Sequence, residues 1–495
     1  MSRLKHIFFN LLIISLYVGF VVAIRFKPIT QSLELDYDEG LNLIKALLYS
    51  QGFSLYTQIW NDQPPLFTVI LSQWFNLFGQ SIFAARFLII LFSALLIWCF
   101  YQIINSELGK IPAFVATLIL FTSGLFIRLS ISVMIGIPSL SLAMLSIYFL
   151  NLYKKHSRQP FLILSGGFLA LSLQTKLFTV FLIPLMVFYL VFPNLTNFSK
   201  KQLKTIIQTF IWWLGSLGVV FLLIGLWFQQ FTHLDQIFES HFHQPIETKL
   251  VNFNNFESLK QMISQDYEYL FLAFIGILTI IVKKQRNGLF PLAWLVTATL
   301  ILLKHKPIWY HHYLLLTIPI SWLAAYAVAS VRDFCKNWHF HFLSLRIKDF
   351  IFLILSATFI FLMITTPANP KGRPSTNVEV IQLLFKHKNL THWVFTDRPI
   401  YAFYARLRVP PEMAVISYKR LNSGDLTSKQ LLTILQNYCP EQIILGRWIS
   451  QIKSDSDFMA YVNENYSKSY TDEKNTVEHY LLNKVDKCTP KHSLE

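Results

Sequence analysis

About eleven apolar runs, each long enough to cross or nearly cross a bilayer, constrain this chain more than any other feature. They fall at about 7 to 24, 82 to 103, 111 to 127, 133 to 151, 161 to 175, 177 to 193, 206 to 229, 267 to 282, 288 to 303, 310 to 330 and 350 to 366. Some 20 apolar residues in a helix span the hydrocarbon core, and a backbone in lipid must satisfy its own hydrogen bonds, so the runs predict membrane helices. Composition agrees, with 54% of the 495 residues hydrophobic, 14% charged and 45 Phe, far from soluble-domain usage. The first run is long for a signal-peptide core and lacks a small-residue cleavage site, which predicts a retained helix.

The formal charge of +16 does not predict nucleic-acid binding, because the basic residues sit in short clusters between apolar runs rather than along one polar face. Lys154, Lys155 and Arg158 form one cluster, and Lys200, Lys201 and Lys204 another. Such clusters are retained on the cytoplasmic side. A further run, Pro64 to Phe78, is short and begins Pro-Pro. Counting it as a span turns both clusters outward, so it is laid on the outer surface. The N-terminus is then cytoplasmic and the C-terminal part extracytoplasmic, in a multi-pass plasma (inner) membrane protein.

After Pro367 the composition becomes mixed, with Pro370 and Pro374 marking a linker. Strand-like runs at Trp393 to Thr396 and Gln442 to Leu445, and helix-like runs at Thr427 to Gln436 and Asp457 to Tyr466, predict a small α/β domain. The expected division is a transmembrane catalytic domain over 1–366 and a soluble domain over 367–495. Cys439 and Cys488 fall outside in this topology and can pair in an oxidising compartment. Trp212, Trp213 and Trp227 read as interfacial anchors.

Polar residues concentrate on the outer face. The first outer loop carries Asp36, Asp38 and Glu39 within four residues, then Asp62 and Gln63 before Pro64-Pro65. A carboxylate near apolar walls has a raised pKa and can accept a proton; the alternative is a solvated acidic loop. Lys304, His305 and Lys306 face outward against the charge rule, which points to phosphate binding. Lys176 either snorkels to water or serves a site. His311 and His312 are adjacent, so about 100° separates them on a helix and one is expected to face the site. His233, His241 and His243 lack the flanking ligands of a metal centre; a divalent metal remains possible, and no cofactor is implied.

Five stretches in order resemble the GT-C membrane glycosyltransferases, similar to dolichyl-phosphate-mannose protein mannosyltransferases and bacterial lipid A aminoarabinose transferases. They are Asp38-Glu39; Gln63-Pro64-Pro65-Leu66-Phe67; Phe78-Gly79-Gln80-Ser81 with Ala84-Ala85-Arg86; Thr175-Lys176; and His305-Lys306-Pro307 through His311-His312-Tyr313 to Pro319. The resemblance implies an all-α GT-C-like fold with interfacial helices in the first outer loop. It also implies an inverting transfer of a sugar from a polyprenyl-phosphate donor to a lipid, glycan or protein acceptor. Asp38 is then the general base with Glu39 beside it. Lys304, His305, Lys306, Lys176 and Arg86 are the candidates for the donor phosphate, and Asp36, Asp62, Gln63, His311 and His312 line the pocket. Two positions depart from the family: Gln63 stands where many members have Lys, and Gly136 where an acidic residue is common. The rival readings are a transporter or lipid flippase, and an inactive relative that binds a lipid-linked sugar. A transporter would carry ionisable groups near mid-membrane and internal repeats, which the runs do not show.

Overall fold

The computed structural model describes residues 14–191, 200–234, 236, 254–257, 259–260, 267–305, 308–337 and 378–483. The run at 350 to 366 and the linker from Pro367 lie outside these residues, as do His241, His243, Lys306 and Cys488. The other runs coincide, at least in part, with helix. In chain order the helices are α1 (Ile14–Ile24), α2 (Tyr37–Ser50), α3 (Leu66–Phe78), α4 (Ile82–Leu108), α5 (Lys110–Thr122) and α6 (Gly136–His156). After them come α7 (Gln159–Thr175), α8 (Leu182–Val191), α9 (Lys200–Trp227), α10 (Tyr267–Val282), α11 (Leu289–Lys304) and α12 (Leu314–Asn337). Among the described residues, five helices are long and apolar enough to cross a membrane by length and composition.

These helices form one body. α4 packs on α5 and α6, α6 on α7, α7 on α9, and α10 on α12. Lipid supplies no hydrophobic drive between helices, so small residues that let backbones approach closely do much of the joining. At Gly276 of α10 any Cβ would collide with the backbone carbonyl of Leu323 on α12. Large apolar side chains stay exposed on the outside of the bundle, among them Leu223 and Trp227 on α9 and Phe271 on α10, as lipid-facing positions require. Trp213 departs from its expected role as an interfacial anchor. It is fully buried and its indole N–H donates to Ser165 Oγ of α7 at 3.1 Å.

The run laid on the outer surface is α3. Its 13 residues rise about 20 Å, short of the roughly 30 Å hydrocarbon core. Phe67, Leu71 and Phe75 recur every fourth residue and are buried on one face, while Leu77 and Phe78 at its end are exposed.

The C-terminal region contains four strands, β1 (Val394–Thr396), β2 (Gln442–Leu445), β3 (Tyr466–Thr471) and β4 (Glu478–Leu482), in the order β1-β2-β4-β3. β1 and β2 are parallel and the other pairs antiparallel. Helices α13 (Ser428–Tyr438) and α14 (Ser456–Asn465) cover the sheet through Leu431, Leu435, Phe458 and Val462, which join Phe395, Ile443 and Leu445 in a separate core. Cys439 is disulfide-bonded.

This α/β region is docked directly on the first outer loop. Arg398 forms an ion pair with Glu34 at 2.9 Å, both side chains nearly fully buried. Gly40 of α2 lies so close to the Ile400 backbone that a Cβ there would stand 2.9 Å from the Ile400 nitrogen.

Candidate active site

The acidic stretch begins as a helix cap. Asp36 has extended backbone, and its carboxylate accepts from the Asp38 N–H at 3.3 Å, closing the first turn of α2. Asp38 and Glu39 occupy that turn, where negative charge meets the positive end of the helix dipole. The three carboxylates then separate by environment.

Asp36 pairs with Arg128 at 2.8 Å. Burial, followed by the negative charge of Asp38, raises its pKa to about 6. Glu39 turns inward and is fully buried. It accepts from Arg86 Nη2 at 2.8 Å, Arg86 Nε at 3.1 Å, the Val133 N–H at 2.9 Å and the Leu35 N–H. Arg86 also donates to the carbonyls of Ile29 and Ser32, both at 2.9 Å. Neither residue lines the cavity beside Asp38: the structure places Glu39 and Arg86 away from it, as a buried ion pair, a staple that joins the first loop to α4 and to the segment before α6. Asp38 alone of the three keeps substantial exposure, 36%, with Arg447 Nη2 at 3.9 Å.

A cavity of about 330 Å³ opens beside Asp38. Asp36, Asp38, Lys45, Asp62 and Gln63 line it from the first outer loop, Lys176 from the end of α7, and His305, His311 and His312 from the segment between α11 and α12. Val415, Ser417, Tyr418 and Arg447 line it from the α/β region. The sequence expectation thus brings Asp36, Asp38, Asp62, Gln63, Lys176, His305, His311 and His312 together. Lys304 is corrected: it ends α11 with its side chain exposed and does not reach the cavity. The expectation that one of the two adjacent histidines faces the site is also corrected. Tyr310–Tyr313 is a tighter 3-10 turn, and both His311 and His312 line the cavity. His312 Nδ1 accepts the Trp309 N–H at 3.3 Å, and its ring packs on Phe178 and His305 with centroids 4.9 and 5.1 Å away.

Two charged residues that line the cavity, Lys45 and Arg447, were missed from sequence. Lys45 on α2 is buried and donates to Asn61 Oδ1 at 3.0 Å; burial lowers its pKa while Asp62 and Asp38 oppose that shift. Arg447 comes from the loop after β2. The spacing of seven residues, two helical turns, from Asp38 could have flagged a polar Lys45 beside apolar Ile44 and Ala46; nothing local to Arg447 signals its position. Among the described residues no three His, Cys, Asp or Glu side chains come together as a metal ligand set.

The chain thus has a helical body, an acidic loop before α2, a short apolar helix after Pro64-Pro65 and a small α/β region lining the same cavity, and solved structures share this fold. The family model of dolichyl-phosphate-mannose-protein mannosyltransferases matches residues 62–227, a stretch that includes Asp62, Gln63 and Lys176 but not Asp38 or Arg447. The chain is similar to the crystal structure of ArnT from Cupriavidus metallidurans in the apo state, with a TM-score of 0.66 at 12% identity over 96% of this chain and 98% of that one. Against the same protein bound to undecaprenyl phosphate the TM-score is 0.64 at 12% identity, covering 96% and 99%. The oligosaccharyltransferase of Archaeoglobus fulgidus tethered with an acceptor peptide gives 0.54 at 12% identity, covering 97% of this chain and 74% of that one. A second family model, of poxvirus Bcl-2-like proteins, matches residues 176–302, a stretch that lies within the full-length match to ArnT and adds nothing to the site. No curated protein sequence matches the chain significantly.

Proposed function

We propose that the protein is an inverting glycosyltransferase that moves a sugar from a polyprenyl-phosphate donor to an acceptor hydroxyl at the outer face of the membrane. One observation carries the reading: Asp38 shares a single cavity with Lys176 and His305, so a proton acceptor and a basic wall meet in the fold of lipid-dependent glycosyltransferases. Asp36 is committed to Arg128 and Glu39 to Arg86, which leaves Asp38, of the three carboxylates in the acidic stretch, as the one able to serve a substrate. Asp38 takes the acceptor proton as the acceptor oxygen attacks the anomeric carbon. The bond from that carbon to the lipid phosphate breaks, and the phosphate leaves with the electron pair toward Lys176 and His305. A single in-line displacement reverses the anomeric configuration. The boundary at 366/367 and the external position of the α/β region belong to the same proposal.

The test is transfer by purified protein in nanodiscs from a panel of polyprenyl-phosphate sugars. Asp38→Asn keeps size and hydrogen bonding but removes the base, so turnover should fall about 10²- to 10⁴-fold while donor binding survives. Near-normal turnover in this variant would remove Asp38 from the chemistry.

A further inference from the structure

Among the described residues, the buried guanidinium groups of Arg86, Arg398 and Arg420 make hydrogen bonds of a kind that the partly exposed Arg447 does not. Arg86 donates to Glu39, Ile29 and Ser32. Arg398 donates to Glu34 and to the Tyr401 hydroxyl. Arg420 donates to Asp425 and to the carbonyls of Glu412 and Val415. The Arg447 side chain is 18% exposed and makes no hydrogen bond among the described residues; its ion-pair neighbour, Asp38 Oδ1, stands 3.9 Å away, beyond hydrogen-bond range. A guanidinium carries five N–H donors, and leaving them unmade away from water is costly.

The position of Arg447 is nevertheless well determined. Its backbone belongs to a loop gripped by the fully buried carboxylate of Asp397, which accepts from the Gly446, Arg447 and Trp448 N–H groups at 2.7, 2.9 and 2.5 Å. The guanidinium lies over the Tyr37 ring at 4.7 Å and the Trp448 ring at 5.2 Å. The next residue to Asp397, Arg398, is the one that docks the region on Glu34. A planar cation has thus been preorganised at the cavity wall with its hydrogen bonds still to be made.

We propose that Arg447 binds the phosphate of the lipid-linked donor, so that the C-terminal region supplies part of the donor site; this rests on the glycosyltransferase reading above. Arg447 Nη2 is 3.9 Å from Asp38, and a charge-assisted hydrogen bond adds about 2.8 Å, so Arg447 holds groups within about 6 to 7 Å of the base. That reach covers both reacting partners, and charge separates them: a guanidinium pairs with the anionic phosphate of the donor and finds no counter-ion in an acceptor hydroxyl. Forked geometry also suits phosphate better than a point charge does.

The experiment measures binding of undecaprenyl phosphate and of unphosphorylated undecaprenol to full-length protein in nanodiscs, with steady-state transfer alongside. Arg447→Gln should weaken undecaprenyl phosphate about 10- to 100-fold, leave undecaprenol unchanged, and raise the donor KM without raising the acceptor KM. Arg447→Lys should recover part of the loss. If Arg447→Gln does not fold, Arg447→Lys carries the test alone, with an expected loss of about three- to tenfold. Wild-type affinity for undecaprenyl phosphate in a folded variant, or a rise confined to the acceptor KM, overturns the assignment while the glycosyltransferase reading stands. A wild-type protein that neither binds undecaprenyl phosphate nor transfers sugar overturns both.

Discussion

Glu39→Gln separates a structural carboxylate from a catalytic one. The substitution keeps the shape of the side chain but leaves one acceptor oxygen where there were two. Oε1 receives Arg86 Nε and the Val133 N–H, and Oε2 receives Arg86 Nη2 and the Leu35 N–H. Whichever way the amide turns, two donors face an NH₂ group, and the Arg86 charge loses its counter-ion in a site with no exposure. Breaking a buried pair on one side costs about 3 to 5 kcal/mol. The expected result is a large fall in the thermal midpoint in detergent, with turnover lost in proportion to folded protein. Removing both charges together, Glu39→Gln with Arg86→Met, should restore more than half of the lost stability, because the uncompensated cation disappears. A Glu39→Gln protein that melts like wild type and has lost only turnover would refute the staple and return Glu39 to the chemistry.

Three further outcomes are expected. Gly40→Ala forces a methyl group to within 2.9 Å of the Ile400 nitrogen and 3.0 Å of Glu34 Oε1, so it should loosen the docked α/β region, seen as faster proteolysis there and reduced transfer. Burial lowers the pKa of His479 from 6.5 to about 4, so the unfolded chain binds a proton that the fold refuses between those values; stability should be full above pH 6.5 and fall by up to about 3 kcal/mol toward pH 4, and His479→Gln should flatten that slope in pH-dependent melts. Cysteines introduced at Asn254 and Ser454 should react with an impermeant thiol reagent in intact cells and one at Lys155 should not; labelling at Lys155 alone would invert the topology.

The membrane body was legible because its signal is a length: an apolar run of 15 to 25 residues announces a helix without reference to any other part of the chain. β1, β2, α13 and α14 were legible for a similar reason, having clear local periodicity. The β3–β4 hairpin was not. β3 reads Tyr-Ser-Lys-Ser-Tyr-Thr and leaves most of its residues at least partly exposed, so it carries little apolar alternation. The site was half legible. Asp38 lies in a local cluster, and His305, His311 and Lys176 oppose the charge rule or interrupt apolar runs. Its partners were hidden by separation. Arg128 meets Asp36 across 92 residues, and Arg398 meets Glu34 across 364; one sequence has no means of pairing them. Lys304 misled because charge pattern reports the side of the membrane and not the direction of the side chain. Glu39 misled because adjacency in a helix puts neighbours about 100° apart, which here is the difference between the cavity and the core.

The ion pair between Glu34 and Arg398 has a consequence for how the protein is made. Ribosomes add about 5 to 20 residues each second, so the 364 residues between the two partners take roughly 20 to 70 s to synthesise. For that interval the growing chain holds Asp38 and the histidines of the cavity but no lid over them. A nascent chain stalled short of Arg398 is therefore a nearly complete membrane bundle with an open, unfinished site, and Glu34 is a buried-to-be carboxylate still waiting in water. Completion of the cavity, which needs Val415, Ser417, Tyr418 and Arg447, becomes one of the last events in biogenesis.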